Sequence, residues 1–481
     1  MTLPSWPRSN RARLILGSAA ALLSVAALTL IGYRVLSPML SIHPNPVAAA
    51  ATAPVEPVAP APSPPPPPAP VVAPIRAEGR VVDEQGKPLP GTIVWAGSEH
   101  VVTDADGSFT VPALGAERTV LVKLPGYERK RVTLAGGERP TIKLRAHSVK
   151  AAYLTYYGVG DKGIRERVVG LMGKTELNGV VIDVKGDRGL IPYRTAVPLA
   201  LEAGAQGPVI IKDFDGLIAD LKSRGIYTIA RIVAFKDNVL AHHRPDWAIV
   251  DTRTGRPWID NEKLAWVDPT REEVWSYLIA VAKEAAAKGF DEIQFDYVRF
   301  PTDGKLSAAR YSKPNNQAVR LETIAAFLAR ARRELGPTGV FLAADVFGYT
   351  AFNDNDTDIG QRIEDMAPHL DYLCPMVYPS GYHRGIPGVR NPVENPYEIV
   401  KESVRLTRKR IANTTAQVRP WIQDFRDYAF DKRIFGVREI RAQVRGSDEG
   451  GGTGFMLWNP RNDYTADALR PGPALVRRPG S

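Results

Sequence analysis

A single cysteine, Cys374, serves 481 residues, so no intrachain disulfide framework exists. The P-loop spacing GxxxxGKS/T is absent and no dinucleotide-binding glycine turn is expected, which leaves nucleotide chemistry little support. Seven histidines, none in an HExxH run or a Cys/His cluster, give no zinc signature, and no metal or other cofactor is expected. GxSxG is missing, and with it the serine nucleophile elbow. Neither charge dominates: 62 Lys+Arg against 52 Asp+Glu leave +10, modest at this length. No basic stripe with interleaved aromatics marks a nucleic-acid surface, so nucleic acid is not an expected partner.

What the chain does have begins with an apolar run over residues 14–33, preceded by Arg8, Arg11 and Arg13. About 20 apolar residues span a bilayer, and the basic flank predicts a cytoplasmic amino terminus. Residues 1–13 are read as a basic tail and 14–36 as a transmembrane anchor or signal, with the small residues 47–51 offering a cleavage site. Residues 37–74 are rich in Pro and Ala, with Pro64 to Pro68 unbroken, and read as an extended spacer. The expectation is a single-pass inner-membrane protein whose bulk lies in the periplasm or outside the cell, with the membrane as one partner.

From residue 75 to 147 short alternating strands are separated by turn signals. Asp83-Glu-Gln-Gly86 and Thr103-Asp-Ala-Asp-Gly-Ser-Phe109 are turns, and six or seven strands in this span predict a β-sandwich. The words Gly79-Arg-Val-Val-Asp-Glu-Gln-Gly-Lys-Pro-Leu-Pro-Gly91, Thr103-Asp-Ala-Asp-Gly-Ser-Phe109 and Pro125-Gly-Tyr127 resemble carboxypeptidase regulatory-like domains, which are transthyretin-like sandwiches. Trp95 reads as a packing residue in preference to a sugar platform.

From residue 148 to 465 strands alternate with amphipathic helices. Eight candidate strands fall at 150–157, 179–185, 227–235, 292–300, 340–347, 372–378, 419–425 and 454–459. Alternation implies parallel strands, and eight repeats imply a (β/α)8 TIM barrel, with residues 466–481 left as a tail. An open doubly wound sheet is the alternative. Polar residues gather near the strand ends, where such barrels carry their chemistry. Taking one face of each strand, the candidates are Asp183 and Lys185, then Arg231, then Gln294 and Asp296, with Arg299 just beyond. Asp345, Tyr378, Gln423 and Trp458 complete the set. Carboxylates with aromatics suit glycoside hydrolysis, which needs one acid to protonate the leaving oxygen and a second carboxylate to attack or to activate water.

Six words occur in order: Thr175-Glu-Leu-Asn-Gly-Val-Val-Ile-Asp-Val-Lys185, Phe295-Asp-Tyr-Val-Arg-Phe-Pro-Thr-Asp-Gly304, Ala344-Asp-Val-Phe-Gly-Tyr349, Cys374-Pro-Met-Val-Tyr-Pro379, Arg419-Pro-Trp-Ile-Gln-Asp-Phe425 and Phe455-Met-Leu-Trp-Asn459. They resemble a bacterial family of glycoside hydrolase barrels distantly similar to the α-amylase clan. The resemblance implies that Asp296 is nucleophile or base and Asp345 the acid. It departs from the clan at Gln294, where the clan has arginine, and at Asp345, where the clan has glutamate. Both departures leave retention and inversion open.

Other roles are expected for the remaining candidates. Arg231 and Arg299 would orient a carboxylate, Asp183 and Lys185 would bind substrate or pair with each other, and Trp458 and Tyr378 would stack on sugar. Gln294 and Gln423 would make polar substrate contacts. The expected activity is cleavage of a glycosidic bond in an envelope or extracellular polysaccharide; the alternative is a non-catalytic polysaccharide-binding scaffold on the same barrel.

Overall fold

The structure, a computed structural model, describes residues 75–114, 118–134 and 139–472. The expected basic tail, transmembrane segment and proline spacer lie outside the described residues. Among the described residues, no helix is long and apolar enough to cross a membrane.

Seven strands form the amino-terminal sandwich. One sheet holds β1 (Ile75–Asp83) between β4 (Ser108–Leu114) and β7 (Thr141–Leu144). The other runs β3 (Glu99–Val102), β2 (Ile93–Ala96), β5 (Thr119–Lys123) and β6 (Lys130–Thr133), all antiparallel. Alternating Val81, Val94, Phe109, Val111, Val120, Val122 and Ile142 fill the space between the sheets. The turn before β4 needs glycine. Gly107 has φ +74°, and a Cβ there would meet the Val81 carbonyl at 2.3 Å. Asp104 accepts from the Asp106 and Ser108 amides at 3.0 and 2.8 Å, so this acidic pair is a turn.

The barrel follows. Its strands are β8 (Val149–Leu154), β9 (Gly179–Lys185), β10 (Tyr227–Val233), β12 (Glu292–Asp296), β14 (Phe341–Phe347), β15 (Tyr372–Met376), a seventh in two pieces, β16 (Gln417–Val418) and β17 (Trp421–Gln423), and β18 (Gly454–Trp458). Between them, β11 (Val250–Asp251) and β13 (Ala309–Arg310) pair antiparallel in the loops after β10 and β12. Every barrel pairing is parallel, and β14 joins β15 to close the ring. The seventh strand breaks where Pro420 has no amide to donate.

Helices clothe the ring because their apolar residues recur at helical spacing. In Gln317–Leu335, Ile324, Phe327, Leu328, Ala331 and Leu335 are buried, and Asn316 caps the start by accepting from Val319 N at 3.0 Å. Six of the eight barrel strands end earlier than expected, while the second and fifth end at Lys185 and Phe347 as read. The fourth stops at Asp296, because Tyr297 takes φ +50°, a left-handed conformation that breaks the ladder. Beyond residue 465, Ala468 and Leu469 are buried against the barrel, the Arg470 carbonyl accepts from Glu176 N at 2.8 Å, and Arg470 N donates to Glu176 Oε1 at 3.0 Å.

The sandwich docks on the end of the barrel where the strands begin. Lys123 donates to the Val340 carbonyl at 2.7 Å and to Asp371 at 2.8 Å, wholly buried. Arg129 reaches Gly339 and Asp291 at 2.9 and 3.1 Å, and Gly126 N donates to the Tyr372 hydroxyl at 2.9 Å. Trp95 lies flat against Gly336, where a Cβ would clash at 2.1 Å.

Candidate active site

The barrel interior is layered. Its floor holds the fully buried pair Arg419–Glu292, with the Tyr227 hydroxyl on Glu292 at 3.0 Å and Tyr372 beneath the guanidinium at 4.2 Å. A middle layer contains Gln294, Cys374 and Met456, with Gln294 Nε2 donating to the Met456 sulfur at 3.4 Å. The top layer, at the carboxyl ends of the strands, carries the candidate chemistry.

The top layer divides into a charged half and an aromatic half. On β9, β10 and β12, Arg231 bridges two carboxylates. Its Nη1 donates to Asp183 Oδ1 at 2.6 Å, and its Nε and Nη2 both donate to Asp296 Oδ2, at 3.0 and 2.6 Å. Asp183 also accepts from the Tyr153 hydroxyl at 2.7 Å and Tyr156 N at 3.1 Å. Asp296 accepts from Tyr297 N at 2.6 Å, so the strained residue after the strand end holds the carboxylate in place. Burial opposes the Arg231 charge, but Asp183 and Asp296 hold the guanidinium protonated, well above its ordinary value.

Asp345 lies on the neighbouring strand. The register pairs Phe295 with Ala344, which makes Asp296 and Asp345 the next residues along two adjacent strands about 4.8 Å apart. Among the described residues one donor reaches Asp345: Trp421 Nε1, at 2.7 Å to Oδ1. Burial, reinforced by the Asp296 charge, pushes the Asp345 carboxyl well above the usual carboxylate range, and the indole bond offsets only part of that. Burial and the Asp296 charge thus both favour the protonated form of Asp345. Asp345 is 1% exposed and Asp296 6%, so the mouth is narrow.

The aromatic half closes the ring over β15, β17, β18 and β8. Trp458 stacks on Tyr153 with centroids 4.1 Å apart and planes at 9°, and Trp421 meets both edge-on. Arg231 sits 5.3 and 5.6 Å from the Trp458 and Tyr153 rings. Tyr378 packs edge-on to Phe425 at 5.5 Å; burial and then the Asp345 and Asp296 charges raise its phenol.

Several expected roles do not match these positions. Lys185 does not meet Asp183. The β9–β10 register shifts after Arg231, and Lys185 instead donates to the Val233 carbonyl at 2.6 Å and pairs with Asp237 at 2.8 Å. Gln294 is fully buried one layer below Asp296, with its amide on the Met456 sulfur. Gln423 is fully buried and spends its amide on Ser380 and on the Phe425 carbonyl. Arg299 meets no carboxylate at bonding distance. It sits among Trp266, Tyr297 and Phe347 at 4.8–5.0 Å and donates to the Phe300 carbonyl at 3.0 Å.

The expectation that no dinucleotide-type turn exists also needs correction. Gly158-Val-Gly-Asp-Lys-Gly163 has the GxGxxG spacing and lies between β8 and the helix Lys162–Leu171. Its glycines face the chain itself, since a Cβ at Gly158 would strike Asn462 at 1.9 Å and one at Gly160 would meet Ile210 at 3.0 Å. Asp161 caps the helix through Ile164 N at 2.8 Å, so its own carboxylate occupies the place a phosphate would need. Tyr153 and Trp421 were not among the sequence candidates. Trp421 shares a strand face with Gln423, and that spacing of two was its signal. Among the described residues, no group of three or more His, Cys, Asp or Glu side chains could hold a metal ion.

No curated protein matches the chain. The solved structure of a hypothetical protein from Ruminiclostridium thermocellum ATCC 27405 is 38% identical, covering 40% of this chain and 97% of its own, with a TM-score of 0.36. The PgaB (BpsB) glycoside hydrolase domain from Bordetella bronchiseptica is 13% identical, over 67% of this chain and 98% of its own, at a TM-score of 0.47. A chitinase from Chromobacterium violaceum ATCC 12472 is 14% identical, over 67% and 97%, at 0.40. Residues 76–147 match the carboxypeptidase regulatory-like domain. Residues 151–464, more than half of the chain, match the family described as "putative glycosyl hydrolase domain", and the chain belongs to that family.

Proposed function

We propose that the protein hydrolyses a glycosidic bond in an envelope or extracellular polysaccharide, with Asp345 as general acid and Asp296 as the partner carboxylate. One observation carries the reading: a carboxyl whose protonated form burial favours, held by the Trp421 indole, stands on the strand next to a carboxylate clamped by Arg231. Two carboxyl groups in different environments are what acid-assisted glycoside cleavage requires. Asp345 gives its proton to the departing oxygen. Asp296 attacks the anomeric carbon or takes the proton of an attacking water. Trp421 holds the acid's orientation, and Arg231 holds its partner's. Trp458 on Tyr153 offers the flat face against which a sugar ring stacks.

The apolar run at residues 14–33 and the proline-rich 37–74 go with export and an inner-membrane tether. Protease added outside spheroplasts should remove the barrel if that topology holds, and a barrel protected there sinks it.

A polysaccharide panel incubated with the full chain tests the activity. Reducing ends should appear from one substrate, and Asp345→Asn or Asp296→Asn should lower turnover by about 100- to 10,000-fold. Retention of wild-type turnover by both variants overturns the assignment. A second reading has its own support: Asp296 is neutralised by Arg231 and both carboxylates are almost wholly buried. That closed arrangement suits a polysaccharide-binding protein without hydrolysis. It predicts equal glycan binding by wild type and variants, with no reducing ends from any of them.

A further inference from the structure

The loop after β17 contains a chain of buried polar contacts that the acid pair does not use. Gln423 Oε1 accepts from Ser380 N at 3.1 Å, while its Nε2 donates to Ser380 Oγ at 2.7 Å and to the Phe425 carbonyl at 3.1 Å. Ser380 Oγ donates in turn to Asp427 Oδ1 at 2.6 Å. Asp427 accepts from the amides of Ala429, Phe430 and Lys432 at 3.1, 2.8 and 2.9 Å. Gln423, Ser380 and Asp427 are all buried. A satisfied polar network of this kind rigidifies the backbone that it ties together.

The backbone so fixed presents two half-exposed aromatic rings, Phe425 and Tyr428. Their planes lie within 6° of each other, with centroids 6.1 Å apart. Phe425 packs edge-on against Tyr378 at 5.5 Å, and the Asp345 and Asp296 charges both raise the Tyr378 phenol. The parallel rings therefore adjoin the acid pair through Tyr378.

We propose that Phe425 and Tyr428 form a second sugar platform, held ready by the Gln423–Ser380–Asp427 network, and that the protein takes a chain of several pyranose units in preference to a single terminal sugar. This rests on the glycosidase reading for its substrate class, but not for its test. Flat aromatic faces match the C–H faces of pyranoses whose substituents are equatorial, as in β-linked glucose and N-acetylglucosamine chains. A platform fixed before binding loses little entropy when the chain arrives. Gln423 is on this account a positioning residue for the platform.

The test uses cello- and chito-oligosaccharides of increasing length, from dimer to hexamer, titrated into the full chain carrying Asp345→Asn and followed by tryptophan fluorescence. The hexamer should bind about tenfold tighter than the dimer, roughly 1.4 kcal/mol. Adding Phe425→Ala and Tyr428→Ala should abolish that difference and leave dimer affinity unchanged. The milder Phe425→Tyr should preserve the length dependence, which separates loss of the platform from loss of the fold. Length dependence that survives the double alanine change overturns the proposal. So does its absence from the parent, or a failure of every oligomer to bind. Turnover of the same oligomers by the unsubstituted chain is scored separately: binding with length dependence but no cleavage retains the platform and removes the glycosidase.

Discussion

At the scale of single residues, the Trp421–Asp345 bond makes the sharpest claim. The indole N–H favours the ionised acid, so its loss raises the Asp345 carboxyl further. Trp421→Phe should move the alkaline limb of kcat/KM to higher pH, by up to about one unit for one hydrogen bond; an unmoved limb would show that another group titrates there. Arg231 makes a second. Arg231→Met strands two buried carboxylates and should lower unfolding free energy by about 3–5 kcal/mol in a denaturant titration. The placing of Asp183, Arg231 and Asp296 on one inner face was legible from strand ends alone, since residues two apart along a strand share a face. Lys185 was not. It shares that face by spacing, but a register shift after Arg231 carries it to Asp237, and nothing local in the sequence encodes a shift between two strands. Gln294 and Gln423 misled for another reason: spacing gives the face of a strand but not the depth in the barrel.

Elements were easier to read than their ends. Eight alternations of strand and helix were visible because buried parallel strands are continuous apolar runs. Their ends depended on single features, such as the left-handed Tyr297 and the amide-free Pro420. The seventh strand shows what such an end can do to stability. Asp424, just past β17, accepts from Thr465 N and Oγ1 at 2.9 Å each and pins the segment after β18. Burial raises its carboxyl to about 6, above its unfolded value. Its contribution is therefore complete below pH about 4 and is lost as pH rises through about 6. Asp424→Asn should melt higher than the wild type at pH 8, on the order of 1–3 kcal/mol, and show a flatter Tm between pH 5 and 8. A variant with the wild-type pH slope would assign that slope to other groups.

For the whole molecule, the sandwich is built into the base of the barrel and stands clear of its mouth. The Lys123–Asp371 pair is wholly buried across that junction, so Lys123→Met leaves Asp371 with Arg332, at 3.3 Å, as its remaining cation and should cost about 1–3 kcal/mol, seen as a lower Tm for the full chain. The sequence marked the two units but not their contact, because Lys123 and Asp371 are far apart in the chain and each reads alone as a surface charge. The lone cysteine gives a way to watch both units. Cys374 is fully enclosed in the middle layer, and burial raises its thiol, so reagent reaches it only when the barrel opens. The native chain thus carries its own stopwatch. The rate at which a thiol reagent modifies it counts barrel openings, with no other thiol in the chain to confuse the signal. If Lys123→Met quickens that clock, sandwich and barrel open as one; if it does not, the barrel keeps its own time.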